Sequence, residues 1–174
     1  MHYAHRNQAV NISAIAGWGT LLLAEDDAGV RNLTRTMLEM LGYDVLTAWD
    51  GAEALEIFET YAHLIRLVIS DLEMPGFNGW EVLAAIRRRS PDLPVILASG
   101  YNEIPGGLPW CDDRPPIVLA KPYTLDTVKH VLETALVETF KLSLDRKQSE
   151  ADNATCSCKI ISDGPNLYEG QIKE

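Results

Sequence analysis

Four short apolar runs, each ending abruptly in a polar or charged residue, narrow the possible folds of this chain more than any other feature. Leu21-Leu22-Leu23-Ala24 runs into Glu25-Asp26-Asp27, and Leu67-Val68-Ile69-Ser70 into Asp71. Val95-Ile96-Leu97-Ala98 meets Ser99, and Ile117-Val118-Leu119-Ala120 meets Lys121. A strand with one wet face alternates apolar and polar residues, whereas a strand covered on both faces reads as a short continuous apolar run. The runs therefore predict buried strands of a parallel sheet.

The segments between them carry helical periodicity. Val30, Leu33, Thr34, Met37, Leu38 and Leu41 recur at helical spacing, and Gly42 follows as a stop signal. Tyr43 to Ala48 reads as a second strand, Asp50-Gly51 as a turn, and Ala52, Ala54, Leu55 and Phe58 as a short second helix. After the Met74-Pro75-Gly76 break, Trp80, Val82, Leu83 and Ile86 outline a third helix that closes on Arg87, Arg88 and Arg89, where cations suit the helix dipole. The stretch from Gly100 to Pro116 holds four prolines and predicts a short or irregular fourth helix. A last helix runs from about Leu125 towards Phe140, with Thr124 as N-cap. Strands alternating with helices give an α/β, doubly wound, five-stranded parallel sheet with right-handed crossovers. The expected organisation is a loose leader over 1–19, one domain over 20–140 and a polar, mobile tail over 141–174.

Composition removes several functional classes. The 174 residues carry a net charge of −10, which argues against a nucleic-acid face, since phosphate binding gathers Lys and Arg on one surface. No apolar run approaches the roughly 20 residues that span a bilayer, and the start of the chain lacks a signal-peptide layout. Three cysteines make no disulfide framework and suit a reducing cytoplasm. Neither glycine fingerprint for dinucleotides or nucleoside triphosphates occurs.

The polar residues that end the strands carry the chemistry. Glu25 and Asp26 follow the first strand, Asp71 the third, Ser99 the fourth and Lys121 the fifth. In an open parallel sheet the ligand crevice lies at the carboxyl ends of the strands, so these groups converge. Crowded carboxylates repel unless a cation compensates, and Mg²⁺, with its preference for oxygen ligands and phosphate, suits them. With the charge balanced, Asp71 can remain ionised and act as a nucleophile towards phosphorus, and Ser99 and Lys121 can stabilise the transferred group.

Leu21-Leu22-Leu23-Ala24-Glu25-Asp26-Asp27, Asp71-Leu72-Glu73-Met74-Pro75-Gly76, Ala98-Ser99-Gly100-Tyr101 and Lys121-Pro122-Tyr123 together resemble the response-regulator receiver family of two-component systems. The resemblance covers roughly Thr20 to Phe140. It implies a flavodoxin-like sheet with strand order 2-1-3-4-5. It further implies Asp71 as phosphoacceptor, with Glu25, Asp26, Asp71 and the backbone carbonyl of Glu73 around Mg²⁺. Ser99 and Lys121 would contact the phosphoryl group, and a cis peptide bond would precede Pro122. Implied partners are a sensor histidine kinase or histidine phosphotransfer protein and a downstream protein target, with no direct nucleic-acid or membrane contact and a cytoplasmic location. Such a receiver catalyses its own phosphorylation and slow acyl-phosphate hydrolysis.

Two departures from the family pattern stand out. The switch aromatic, three residues before the lysine, is Val118 here, and the fourth-helix segment is proline-rich. The latter is similar to receivers of hybrid histidine kinases, so a receiver fragment of such a kinase is one alternative. A receiver-like binding module without phosphorylation is another. A haloacid dehalogenase-type phosphatase is excluded by motif, because its Asp-x-Asp follows the first strand rather than the third.

Overall fold

The computed structural model describes residues 19–100, 115–139 and 141. The chain divides into two units, Met1–Phe140 and Lys141–Glu174, and only Lys141 of the second is described. In chain order the first unit contains β1 (Thr20–Ala24), α1 (Ala28–Met40), β2 (Asp44–Ala48), α2 (Gly51–Tyr61), β3 (Ile65–Asp71), α3 (Gly79–Arg89), β4 (Val95–Ser99) and β5 (Ile117–Ala120). A last helix, α4, covers 125–139. The five strands are parallel and lie in the order β2-β1-β3-β4-β5, as the sequence resemblance implied. No helix among the described residues is long and apolar enough to cross a membrane.

The continuous apolar runs arise because both faces of the central strands are covered. Successive residues of β1 enter different cores. Leu22 and Ala24 pack with Val68, Leu97, Phe58 of α2 and Val82 and Ile86 of α3. Leu21 and Leu23 pack with Ile69, Ile96, Leu38 of α1 and Val128 and Leu132 of α4. Each large side chain so buried is worth about 1.5–3 kcal/mol relative to exposure. The sheet is thus held by two apolar layers, and only its strand ends are left for polar groups.

Side-chain caps set the helix starts. The Asp27 carboxylate accepts from the Val30 amide at 2.8 Å and starts α1. Asp50, expected in a turn, instead accepts from the Glu53 amide at 2.8 Å as N-cap of α2, so Gly51 is the first helical residue. Asn78 and Glu81 form a reciprocal capping box on α3. The Thr124 hydroxyl accepts from the Thr127 amide at 3.3 Å, as the expected cap.

Other expectations shift in detail. The third strand begins at Ile65 and includes Asp71 as its last residue rather than stopping before it. Leu33, counted on the apolar stripe of the first helix, is 55% exposed, while Thr34 takes the buried position. A helix stripe narrower than the periodicity suggested explains both. The fourth-helix segment expected after Gly100 lies outside the described residues.

Candidate functional site

Strand pairing fixes where the functional side chains emerge. Ala24 aligns with Ala48 and Ser70, Asp71 with Ala98, and Ser99 with Ala120. Glu25, Asp71, Ser99 and Lys121 therefore leave the sheet at its carboxyl edge within two residues of each other along the strands. Backbone hydrogen bonds extend the pairing past the strand ends. Glu25 N donates to Ala48 O at 3.1 Å, Leu72 N to Ala98 O at 2.8 Å, and Lys121 N to Ser99 O at 2.7 Å.

Lys121 lies at the centre of the side-chain arrangement. Its Nζ donates to Glu25 Oε2 and pairs with Asp71 Oδ2, both at 2.8 Å. Glu25 is only 2% exposed and Asp71 7%, so neither carboxylate is solvated like a surface acid. Burial pushes the Glu25 carboxyl above its ordinary range and the neighbouring Asp71 charge adds to this, against the opposing pull of Lys121. For Lys121, burial alone would lower the ammonium's pKa, but hydrogen bonds and charge from Asp71 and Glu25 outweigh it and raise the value. The lysine is therefore a committed cation in the pocket.

The exposed Asp26 completes the acidic group. One carboxylate oxygen each from Glu25, Asp26 and Asp71 lies within 4.8 Å of the others, the one such cluster of potential metal ligands among the described residues. Three hard oxygen donors with one ammonium among them leave a net negative pocket, which fits Mg²⁺ in both ligand type and charge. Asp27, third in the acidic run, is occupied as the cap of α1; hydrogen bonds from the Val30 and Gly29 amides hold its carboxyl below the usual range. The pair Glu25 and Asp26, rather than Asp26 and Asp27, thus faces the pocket.

The remaining predicted residues take up distinct positions. Ser99 is buried at the end of β4 and linked by its carbonyl to the Lys121 amide. Glu73 exposes its side chain, and its backbone amide approaches Asp71 Oδ1 at 3.4 Å. The Lys121–Pro122 peptide is cis, as the resemblance implied. Val118 is half-buried at the position where the family carries an aromatic.

Sequence reasoning passed over three contributors. Arg31 Nη1 donates to the carbonyl oxygens of Glu25 at 2.6 Å and Asp26 at 3.1 Å. The fully buried Thr34 shares a 2.7 Å hydrogen bond with the Tyr123 hydroxyl. Gly79 packs its Cα against the end of β3, where an added Cβ would stand 2.4 Å from the Asp71 carbonyl oxygen and 2.9 Å from Leu72 Cα. Thr34 was the one detectable from sequence, because a hydroxyl on an apolar helix stripe demands a buried partner.

Comparison with known proteins falls on the same stretch of chain. Residues 21–133 match the family described as the response regulator receiver domain. The sensor kinase CckA of Brucella abortus is 37% identical over 123 residues, which cover 68% of this chain and 13% of that protein. The crystal structure of the receiver domain from the hybrid histidine kinase CckA is 36% identical, covers 68% of this chain and 99% of its own, and superposes with a TM-score of 0.57. That of the response regulator TrrA from Thermotoga maritima, in complex with Mg²⁺ and BeF, is 32% identical, covers 68% and 100%, and gives 0.60. The chain spans only part, from 13% to 54%, of the curated relatives compared with it. Sheet order, clustered acids and sequence match thus coincide on one segment, and the chain belongs to the response regulator receiver domain family of two-component signalling.

Proposed function

We propose that Asp71 accepts a phosphoryl group from a phosphohistidine on a sensor kinase or histidine phosphotransfer protein. The observation that carries this reading is Lys121 bridging Asp71 and the buried Glu25 at 2.8 Å each. That pairing holds an ammonium against the Asp71 carboxylate, where it would also face the oxygens of an incoming phosphoryl group. An Asp71 oxygen attacks phosphorus in line with the departing imidazole. The P–O bond forms as the P–N bond breaks, and the imidazole leaves with the electron pair and takes a proton from solvent. Lys121 then turns part of its charge to the phosphoryl oxygens, with the Ser99 hydroxyl as a second donor.

Glu25, Asp26 and Asp71, with the Glu73 carbonyl, would hold Mg²⁺, which when bound neutralises charge on the phosphoryl oxygens. The acyl phosphate is lost slowly to water, returning Asp71. Phosphorylation biases a surface between two states and so alters binding of a downstream protein. A phosphohistidine draws on ATP, so the reading puts the reaction in the cytoplasm. A net charge of −10 favours a protein target over nucleic acid.

Incubation with acetyl phosphate and Mg²⁺, followed by intact-mass measurement, tests the assignment. The parent should gain a single phosphate adduct, and Asp71→Asn none. An adduct of equal yield on both proteins would assign the acceptor to another residue.

A further inference from the structure

Both halves of the pocket are tied to one helix. On the acidic side, Arg31 of α1 reaches back over the start of its own helix and donates to the Glu25 and Asp26 carbonyls. The amide of Glu25 is already fixed to Ala48, so the guanidinium fixes the next two peptide units, Glu25–Asp26 and Asp26–Asp27. On the basic side, Thr34 of α1 bonds the Tyr123 hydroxyl, two residues after Lys121. Arg31 and Thr34 are three apart, which puts them on neighbouring positions of one helix face.

Neither tether is required for burial as such. A Tyr–Thr pair replaced by Phe and Val would fill the same space, and apolar isosteres of a buried hydrogen-bonded pair are close to neutral in stability. What the polar pair adds is direction: the hydroxyl bond admits one placement of the loop, where a greasy contact admits several. A charge-assisted bond to two successive carbonyls likewise fixes the orientation of two peptide planes, and hence of the side chains they carry.

From this geometry we infer that α1 is a shared jig for the phosphorylation site. Arg31 is a positioning residue for the Glu25–Asp26 pair, and Thr34 with Tyr123 positions Lys121. The inference rests on the proposed phosphoacceptor reading and divides the work: the first tether governs cation binding, the second the transfer step. The sign of the Arg31 effect is diagnostic. A guanidinium near a cation site repels the ion, so an electrostatic role alone predicts tighter Mg²⁺ binding once Arg31 is removed. A positioning role predicts weaker binding.

Calorimetric titration with Mg²⁺ and the rate of adduct formation from acetyl phosphate at saturating Mg²⁺ test this on the full chain. Arg31→Ala should weaken Mg²⁺ binding about tenfold, the low end for loss of a group that orients metal ligands. Arg31→Met, which keeps the aliphatic stem, repeats the measurement should Arg31→Ala not fold. Tyr123→Phe should leave Mg²⁺ affinity at the parental value and slow adduct formation about fivefold, the scale of one lost hydrogen bond. Thr34→Val should do the same, and the double variant should be no slower than either single one. Unchanged or tighter Mg²⁺ binding by both Arg31 variants would overturn the first tether. A parental rate in Tyr123→Phe, or singles whose effects multiply in the double variant, would overturn the second. Absence of an adduct on the parent would instead reject the phosphoacceptor reading itself.

Discussion

Replacing Gly79 by alanine should damage phosphorylation more than it damages the fold. The added Cβ would lie 2.4 Å from the Asp71 carbonyl oxygen, where ordinary contacts begin near 3.4 Å, so α3 and the end of β3 must separate by about 1 Å. The obstacle is backbone, not the yielding end of a side chain. Overpacking of this kind costs about 1–3 kcal/mol, while Gly→Ala returns roughly 0.4–1 kcal/mol through the unfolded chain. The difference spans about 0–2.6 kcal/mol, and its centre, a net loss of about 1.3 kcal/mol, lowers the melting temperature by roughly 4–5 °C for a domain of this size. The same displacement moves Asp71, the proposed nucleophile, and a 1 Å misplacement can slow a reaction by about 100-fold. Thermal unfolding followed by circular dichroism gives the first quantity, and the time course of the acetyl phosphate adduct gives the second. Gly76→Ala is the control: its site is open, but its φ of 76° makes alanine strained. It should lose comparable stability and keep the parental rate. Parental stability and rate in Gly79→Ala, or equal slowing in both variants, would refute the reasoning.

Two further outcomes follow from the pocket's charges. Lys121→Met leaves the buried Glu25 and Asp71 carboxylates without their ammonium, a loss of roughly 3 kcal/mol, the low end for a broken buried pair. Urea unfolding near neutral pH should show that loss, and adding Mg²⁺ should restore most of it; no recovery with Mg²⁺ would count against a cation site at these acids. The parent should also lose stability in base. Lys121 and Tyr123 both have raised pKa values in the fold, the tyrosine chiefly through burial, so their contributions are complete below 10.5 and 10.0 and fade as pH climbs past these values. Comparing urea midpoints at about pH 9 and about pH 11, the fall should be smaller in Tyr123→Phe than in the parent, and an identical fall would exclude Tyr123 as a contributor.

The sequence disclosed the sheet and most of the pocket because both depend on local pattern. A strand covered on two faces, such as Leu21-Leu22-Leu23-Ala24, needs nothing but apolar side chains, and the first polar residue after it marks the strand end. Four such ends in a parallel sheet give the pocket without any knowledge of contacts. What remained hidden depends on pairs distant in the chain. Thr34 and Tyr123 are 89 residues apart, so the threonine signals that it needs a buried partner without signalling which one. Gly79 is silent in sequence for another reason: its role is to leave out an atom, and only the proximity of the Asp71 carbonyl reveals why. Arg31 looks like any arginine on a helix until the chain turns back to bring two carbonyls beneath it.

The double coverage of the sheet has a consequence for how the strands find their alignment. In a one-sided sheet, sliding a strand by one residue would turn its greasy side chains to water, and that penalty enforces alignment. A strand such as β1 or β4 offers no such penalty, since a slip only exchanges one apolar layer for the other. Here the stops are supplied by the residues at the edge: a slide inward would drag Glu25, Asp71 or Lys121 into hydrocarbon, at several kcal/mol per ion. The groups proposed for the chemistry thereby also act as rulers for the folding chain, and neutral substitutes at these points should loosen strand alignment as well as reactivity.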